Sequence, residues 1–167
     1  LPVFTATIFL SAFLLFSVQP LFAKLVLPVL GGSPGVWSVA MVFFQSMLLA
    51  GYAYAHIITT RLPFPVAAAV HVLVLLSAFV FLPLALPSGW EQPPQSGQAF
   101  WLLGLFSVAV GLPFFAVAAN SPLLQAWFAR TGHEHAADPY FLYGASNIGS
   151  FASLILYIFA FEPATTL

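Results

Sequence analysis

The chain has no cysteine, two methionines and almost no charge, with three basic and four acidic side chains in 167 residues. The lack of cysteine excludes disulfides, thiolate metal sites and cysteine nucleophiles. The scarcity of charge excludes more. Only 4% of the residues are charged, whereas a soluble domain carries about a quarter, so this composition cannot build a water-facing surface. A net charge of −1 leaves no basic stretch for a nucleic acid or an anionic membrane surface. No polar block is large enough for a separate soluble domain.

What is present is apolar. Hydrophobic residues make up 62% of the chain, and mean hydropathy is +1.05. A membrane-crossing helix needs about 20 mostly apolar residues, and five runs qualify, at about 3–30, 35–60, 64–86, 99–119 and 139–161. The expectation is an all-α polytopic membrane bundle forming one transmembrane domain. The first run is too long for the apolar core of a signal peptide and lacks a basic start, so it reads as a span.

Punctuation supports these bounds. Gly31-Gly32-Ser33-Pro34 reads as a tight turn, and Pro87 to Gln98 is the clearest loop. Between runs four and five, Ser121 suits an N-cap and Pro122 a first helical position. Leu123, Leu124, Trp127 and Phe128 then share a face at helical spacing, which predicts a short interfacial helix over about 122–129. Asp138 and Pro139 read as N-cap and first position of span five.

The few charges orient the spans. Arg61 and Arg130 lie in loops on one side of a five-span arrangement, and Glu91 lies on the other. The positive-inside rule places Arg61, Arg130 and the N-terminus in the cytoplasm. Lys24 opposes this vote, as one residue able to snorkel. No charge falls near the middle of a span, so a proton pump's buried carboxylate has no candidate.

Several uncharged groups remain. Gln45, Leu49, Tyr52 and His56 lie on one face of span two, either as a polar cavity face or as interhelical hydrogen-bonding groups. His71 stands in an otherwise apolar span and has the chemistry of an axial haem or chlorin ligand, among other uses. His133 and His135 flank Glu134. That pattern can hold a transition metal, although it also suits a solvated loop, and no metal or cofactor is expected. Ala145, Gly149 and Ser153 form a small-residue stripe for close helix packing, with Gly104 and Gly111 as a second such face. Pro20 and Pro113 are expected kinks in spans one and four. Trp37, Trp90, Trp101, Trp127, Tyr140 and Tyr157 fall near predicted span ends, as in an aromatic belt.

Longer motifs carry a family resemblance. Residues 11–20, SAFLLFSVQP, followed by Ala23-Lys24-Leu25, resemble the start of bacterial fused major-facilitator/spermidine-synthase-like proteins. So do Gly31-Gly32-Ser33-Pro34 with Val36-Trp37, Phe43-Phe44-Gln45 with residues 48–56, LLAGYAYAH, Ser121-Pro122-Leu123-Leu124-Gln125, and residues 138–150, DPYFLYGASNIGS. The resemblance implies the membrane part of such a protein. An aminopropyltransferase-like domain would lie outside this chain, so no catalytic residue is expected here. The loop of residues 57–63 departs from the facilitator pattern, having one Arg and no acid.

Three functions follow as expectations. The first is a non-catalytic inner-membrane domain, serving as an anchor or a transporter-like module. The second is an accessory transmembrane subunit of a respiratory or photosynthetic assembly. The third is a small-molecule transporter in its own right. The expected partners are the lipid bilayer and other transmembrane helices or subunits, with no nucleic acid.

Overall fold

The computed structural model describes residues 1–164. Five long helices dominate, with no strand among the described residues. They are α1 (Pro2–Leu30), α2 (Pro34–Arg61), α3 (Phe64–Phe81), α4 (Gln98–Phe128) and α5 (Tyr140–Ala164), each long and apolar enough to cross a membrane.

Local chemistry sets most boundaries. Helix α1 ends at Gly31, whose φ of 71° is open to glycine without strain, and whose N–H donates to the Leu27 carbonyl at 2.8 Å. Ser33 caps α2 by accepting from the Val36 N–H at 3.4 Å, with Pro34 in the first turn. Helix α2 stops where Leu62 turns extended ahead of Pro63.

The structure corrects four boundaries. Helix α3 stops at Phe81 instead of running on to about 86, because Leu82 is already extended (φ −102°, ψ 145°) ahead of Pro83. The segment beyond folds back, so that Leu84, Leu86 and Trp90 pack on the core. Helix α4 does not end near Ala119, and residues 122–129 are not a separate interfacial helix. The helix is continuous through Pro122 to Phe128. Proline removes only one helical hydrogen bond there, while Ala118, Ala119, Leu123 and Phe128 are almost completely buried, so packing overrides the local break signal. Asp138 does not cap α5. Pro139 takes that position, with its carbonyl accepting from the Leu142 N–H at 2.9 Å. Helix α5 then runs three residues past the expected 161, to Ala164.

Two π-helical turns interrupt the long helices, at Ser107–Gly111 in α4 and Tyr157–Phe161 in α5. The first directly precedes Pro113, which has no N–H to continue the ladder. Proline at 20 and 28 leaves α1 helical throughout.

Consecutive helices among the first three barely touch. The extensive seams are α1 with α5 and α2 with α4, and α1 also packs on α4, whereas α1–α2 and α2–α3 contacts are sparse. Helix α3 rests chiefly on α4. Helix α4 is therefore the centre, with 61% of its most apolar stretch buried against 11% for α3. The core is aromatic. Phe106 packs against Phe22, Phe43 and Phe44 at ring separations of 5.2–5.7 Å, and Phe44 meets Phe114 at 4.8 Å.

The ends are also defined. Arg130, after α4, donates to the Thr59 carbonyl of α2 at 2.9 Å. The α2–α3 and α4–α5 links thus share one end with the N-terminus, and the segment bearing Glu91 lies at the other.

Candidate functional site

Two polar features stand out in this apolar bundle. The first centres on His71, which is 3% exposed. Its Nε2 lies 2.8 Å from Asn120 Oδ1. Asn120 Nδ2 donates to Ser11 Oγ at 3.2 Å, so Oδ1 is the acceptor and His71 Nε2 carries the hydrogen. Ser11 in turn donates to the Thr7 carbonyl at 2.8 Å. One chain of hydrogen bonds therefore ties α3 to α4 and α4 to α1.

That tautomer leaves His71 Nδ1 as a bare lone pair. Among the described residues it is buried without a partner, as are the Tyr54 hydroxyl and Trp127 Nε1. The Tyr54 and Trp127 rings lie 5.9 and 6.4 Å from the imidazole. An unmet polar group in an apolar setting costs roughly 1–3 kcal/mol by mutational measures, so three around one ring is an unusual concentration.

The second feature is a groove between α1, α2 and α5 of about 550 Å³. Apolar groups including Phe16, Phe44 and Leu154 line it, together with Gln19, Lys24, Gln45, Tyr157 and Glu162. Lys24 Nζ donates to the Glu162 carbonyl at 3.0 Å, and the Tyr157 hydroxyl donates to the Pro20 carbonyl at 3.4 Å.

The residues singled out from the sequence are distributed unevenly over these features. Of the expected polar face on α2, only Gln45 lines the groove. Tyr52 and His56 point outward, and Leu49 between them is 71% exposed. The inward-facing polar residues of α2 and α3 include Tyr54, Thr59 and His71. His71 has Nε2 committed to Asn120, which leaves that nitrogen closed to a haem or chlorin. His133 Nδ1 accepts the His135 N–H at 3.2 Å, and His135 Nε2 lies 3.7 Å from Glu134 Oε1. Among the described residues no three His, Cys, Asp or Glu side chains gather as a metal site would require.

The small-residue stripe of α5 lies against α1. Ala145, Gly149 and Ser153 are buried, a Cβ on Gly149 would collide with the Phe9 carbonyl, and Ser153 Oγ meets Ser17 Oγ at 2.8 Å. Gly104 and Gly111 do not form one helix-packing face. Gly104 meets the Trp90 indole, while Gly111 has ordinary room, its nearest neighbours 3.7 and 3.8 Å away. The π-helical turn between them supplies the physical reason, since it breaks the 3.6-residue register that would stack positions seven apart. The glycine that does bring α2 onto α4 is Gly51, where a Cβ would lie 3.1 Å from Ala118 Cβ and Ala119 N. Its place beside Tyr52 on an apolar helix carried no distinguishing signal.

No family model, no curated protein and no solved structure matches the chain.

Proposed function

We propose that this chain is a non-catalytic, multi-pass domain of the bacterial inner membrane that works as a transporter-like module. The observation that carries the reading is the pattern of helix adjacency. Exchanging α1 with α4 and α2 with α5 maps the main seams onto themselves: α1–α5 becomes α4–α2, and α1–α4 is unchanged. The exchanged helices run in opposite directions, so the relation is an inverted one. Inverted repeats with interrupted helices are the construction used by many secondary transporters, and α4 and α5 both carry π-helical interruptions. The likeness to the membrane part of the fused major-facilitator/spermidine-synthase-like proteins agrees with this reading and rests on the motifs quoted above.

In this reading the end bearing Arg61 and Arg130 faces the cytoplasm. The absence of native cysteine makes the test direct. Single cysteines at Ser33, Ser88 and Thr131 are exposed to a membrane-impermeant maleimide in intact spheroplasts. Ser33→Cys and Ser88→Cys are expected to label from outside, and Thr131→Cys only after permeabilisation. Labelling of all three from outside defeats the arrangement. Stoichiometric copurification with other membrane subunits would favour the accessory-subunit reading instead.

A further inference from the structure

Three buried polar atoms gather around the His71 ring with no partner among the described residues: its own Nδ1, the Tyr54 hydroxyl and Trp127 Nε1. Tyr54 comes from α2 and Trp127 from α4, and each ring lies against the imidazole of α3, at 5.9 and 6.4 Å. The surroundings are apolar, made by Ala55, Ile58, Ala67, Ala119 and Leu123.

The donors and acceptors here do not match one another. Nδ1 offers one lone pair and no hydrogen, the indole N–H only donates, and the phenol does both. Direct bonding satisfies all three in a single way, with Trp127 donating to the Tyr54 oxygen and Tyr54 donating to Nδ1. Neither bond is made, and the ring contacts of Tyr54 and Trp127 run to the imidazole, not to each other. A proton on Nδ1 is a poorer answer. It would bury a cation whose polar neighbours are Asn120 and Trp127 of α4 and Tyr54 of α2, none of them an acid, and an unpaired buried charge costs far more than an unmet neutral group. A metal ion would find one nitrogen, with no cluster of further ligands among the described residues. The three atoms are closed off from the surface, so an occupant has to be small.

One small molecule answers all three. A water donates one hydrogen to Nδ1, accepts from the indole N–H, and bonds the Tyr54 hydroxyl with its remaining hydrogen or lone pair. Buried waters typically make about three such bonds to groups that are otherwise unmet. Two bonds of about 2.8 Å let one oxygen link atoms up to about 5.6 Å apart, which suits rings at these separations. Holding one water costs less entropy than three unmet groups cost together. We propose that His71 Nδ1, the Tyr54 hydroxyl and Trp127 Nε1 form a binding site for a single water molecule at the junction of α2, α3 and α4. The water extends the Ser11–Asn120–His71 chain to α2, and gives α2 and α3, whose contacts are sparse, a polar link. The inference concerns the interior of the bundle and stands apart from the transporter-like reading.

The test is proton cross-relaxation in the intact, nitrogen-15-labelled chain in detergent micelles. The Trp127 indole proton is assigned by its loss in Trp127→Phe or by its contacts with the Phe64 ring, 5.4 Å away. A rotating-frame cross-peak from this proton to water is expected, with the sign of a long-lived dipolar contact and not that of hydrogen exchange. Tyr54→Phe removes one of the three holding groups and is expected to weaken the cross-peak several-fold, with helical circular dichroism unchanged.

A cross-peak of the exchange sign alone, or none, overturns the site. Contact between the Trp127 indole proton and the Tyr54 ring without a water contact overturns it in favour of the direct chain. Cross-peaks to detergent or glycerol methylene protons in place of water overturn water in favour of an alcohol hydroxyl. A cross-peak unchanged in Tyr54→Phe overturns the three-point site. The native-chain measurement needs no variant to fold, and all of these outcomes leave the cysteine-labelling test of the membrane arrangement untouched.

Discussion

Along the α1–α5 seam, close approach is made with small residues and hydroxyls. Gly149 lies against the Phe9 backbone, and Ser17 meets Ser153. Along the α2–α4 seam, one glycine, Gly51, sets the approach, and four phenylalanines, Phe43, Phe44, Phe106 and Phe114, fill the space. The two seams correspond under the helix exchange that supports the transporter-like reading, yet they share almost no side-chain chemistry. Helix–helix association in lipid draws on dispersion, close backbone contact and hydrogen bonding, with no hydrophobic term between helices. Small residues with hydroxyls and interlocked aromatic rings are two solutions to that requirement. The two seams thus reach comparable close packing with different side chains.

The comparison can be broken most severely at Phe106, which is 1% exposed and touches three other phenylalanines. Phe106→Ala is expected to lower stability by about 3–5 kcal/mol, read as unfolding in a detergent titration. A loss no larger than that of an exposed Phe100→Ala control would show that the aromatic seam is dispensable.

The next effect belongs to Gly149. The obstacle there is backbone, which cannot swing aside, so Gly149→Ala is expected to cost about 1–3 kcal/mol and to lower the melting temperature. Gly111→Ala is the matched control, since its Cβ meets only ordinary contacts. It is expected to be neutral or to gain up to about 1 kcal/mol from helix propensity. Equal losses at the two glycines would mean that backbone proximity is not what Gly149 provides.

The smallest effect is at the hydroxyl pair. A double-mutant cycle over Ser17→Ala and Ser153→Ala is expected to return a coupling of about 0.6 kcal/mol, the average for such bonds between membrane helices. A coupling of zero would reduce that seam to shape alone.

Hydropathy made the five helices legible because it reports length and apolarity, and these suffice to mark a candidate span. It did not say which face of a helix turns inward. In a soluble helix the polar face marks the outside, but these helices are apolar on both faces and the rule loses its force. That is how Tyr52 and His56 read as a cavity face or as interhelical hydrogen-bonding groups while pointing outward, and how Gly51, the contact between α2 and α4, passed unnoticed beside them. Local break signals were overread for a related reason. Ser121 and Pro122 have the chemistry of a helix start, yet buried Ala118, Ala119, Leu123 and Phe128 hold α4 together across them. The small-residue stripe of α5 was legible because its i, i+4 spacing has few other uses. The His71–Asn120–Ser11 chain was not, since it joins three helices and no spacing within one helix reveals it.

The helices are unequal in length, and this has a mechanical consequence. At 1.5 Å per residue, the 31 residues of α4 measure about 46 Å and the 18 of α3 about 27 Å. A bilayer's hydrocarbon core is about 30 Å thick, so in a membrane α3 would barely reach across while α4 would overshoot even when tilted. In a thicker membrane α3 would be the first helix stretched beyond its reach, and the lipid would have to thin locally beside it. His71 ties that short helix to the centre of the bundle through Asn120. Strain from bilayer thickness would thus be delivered to the one buried ring that already lacks a partner for its second nitrogen.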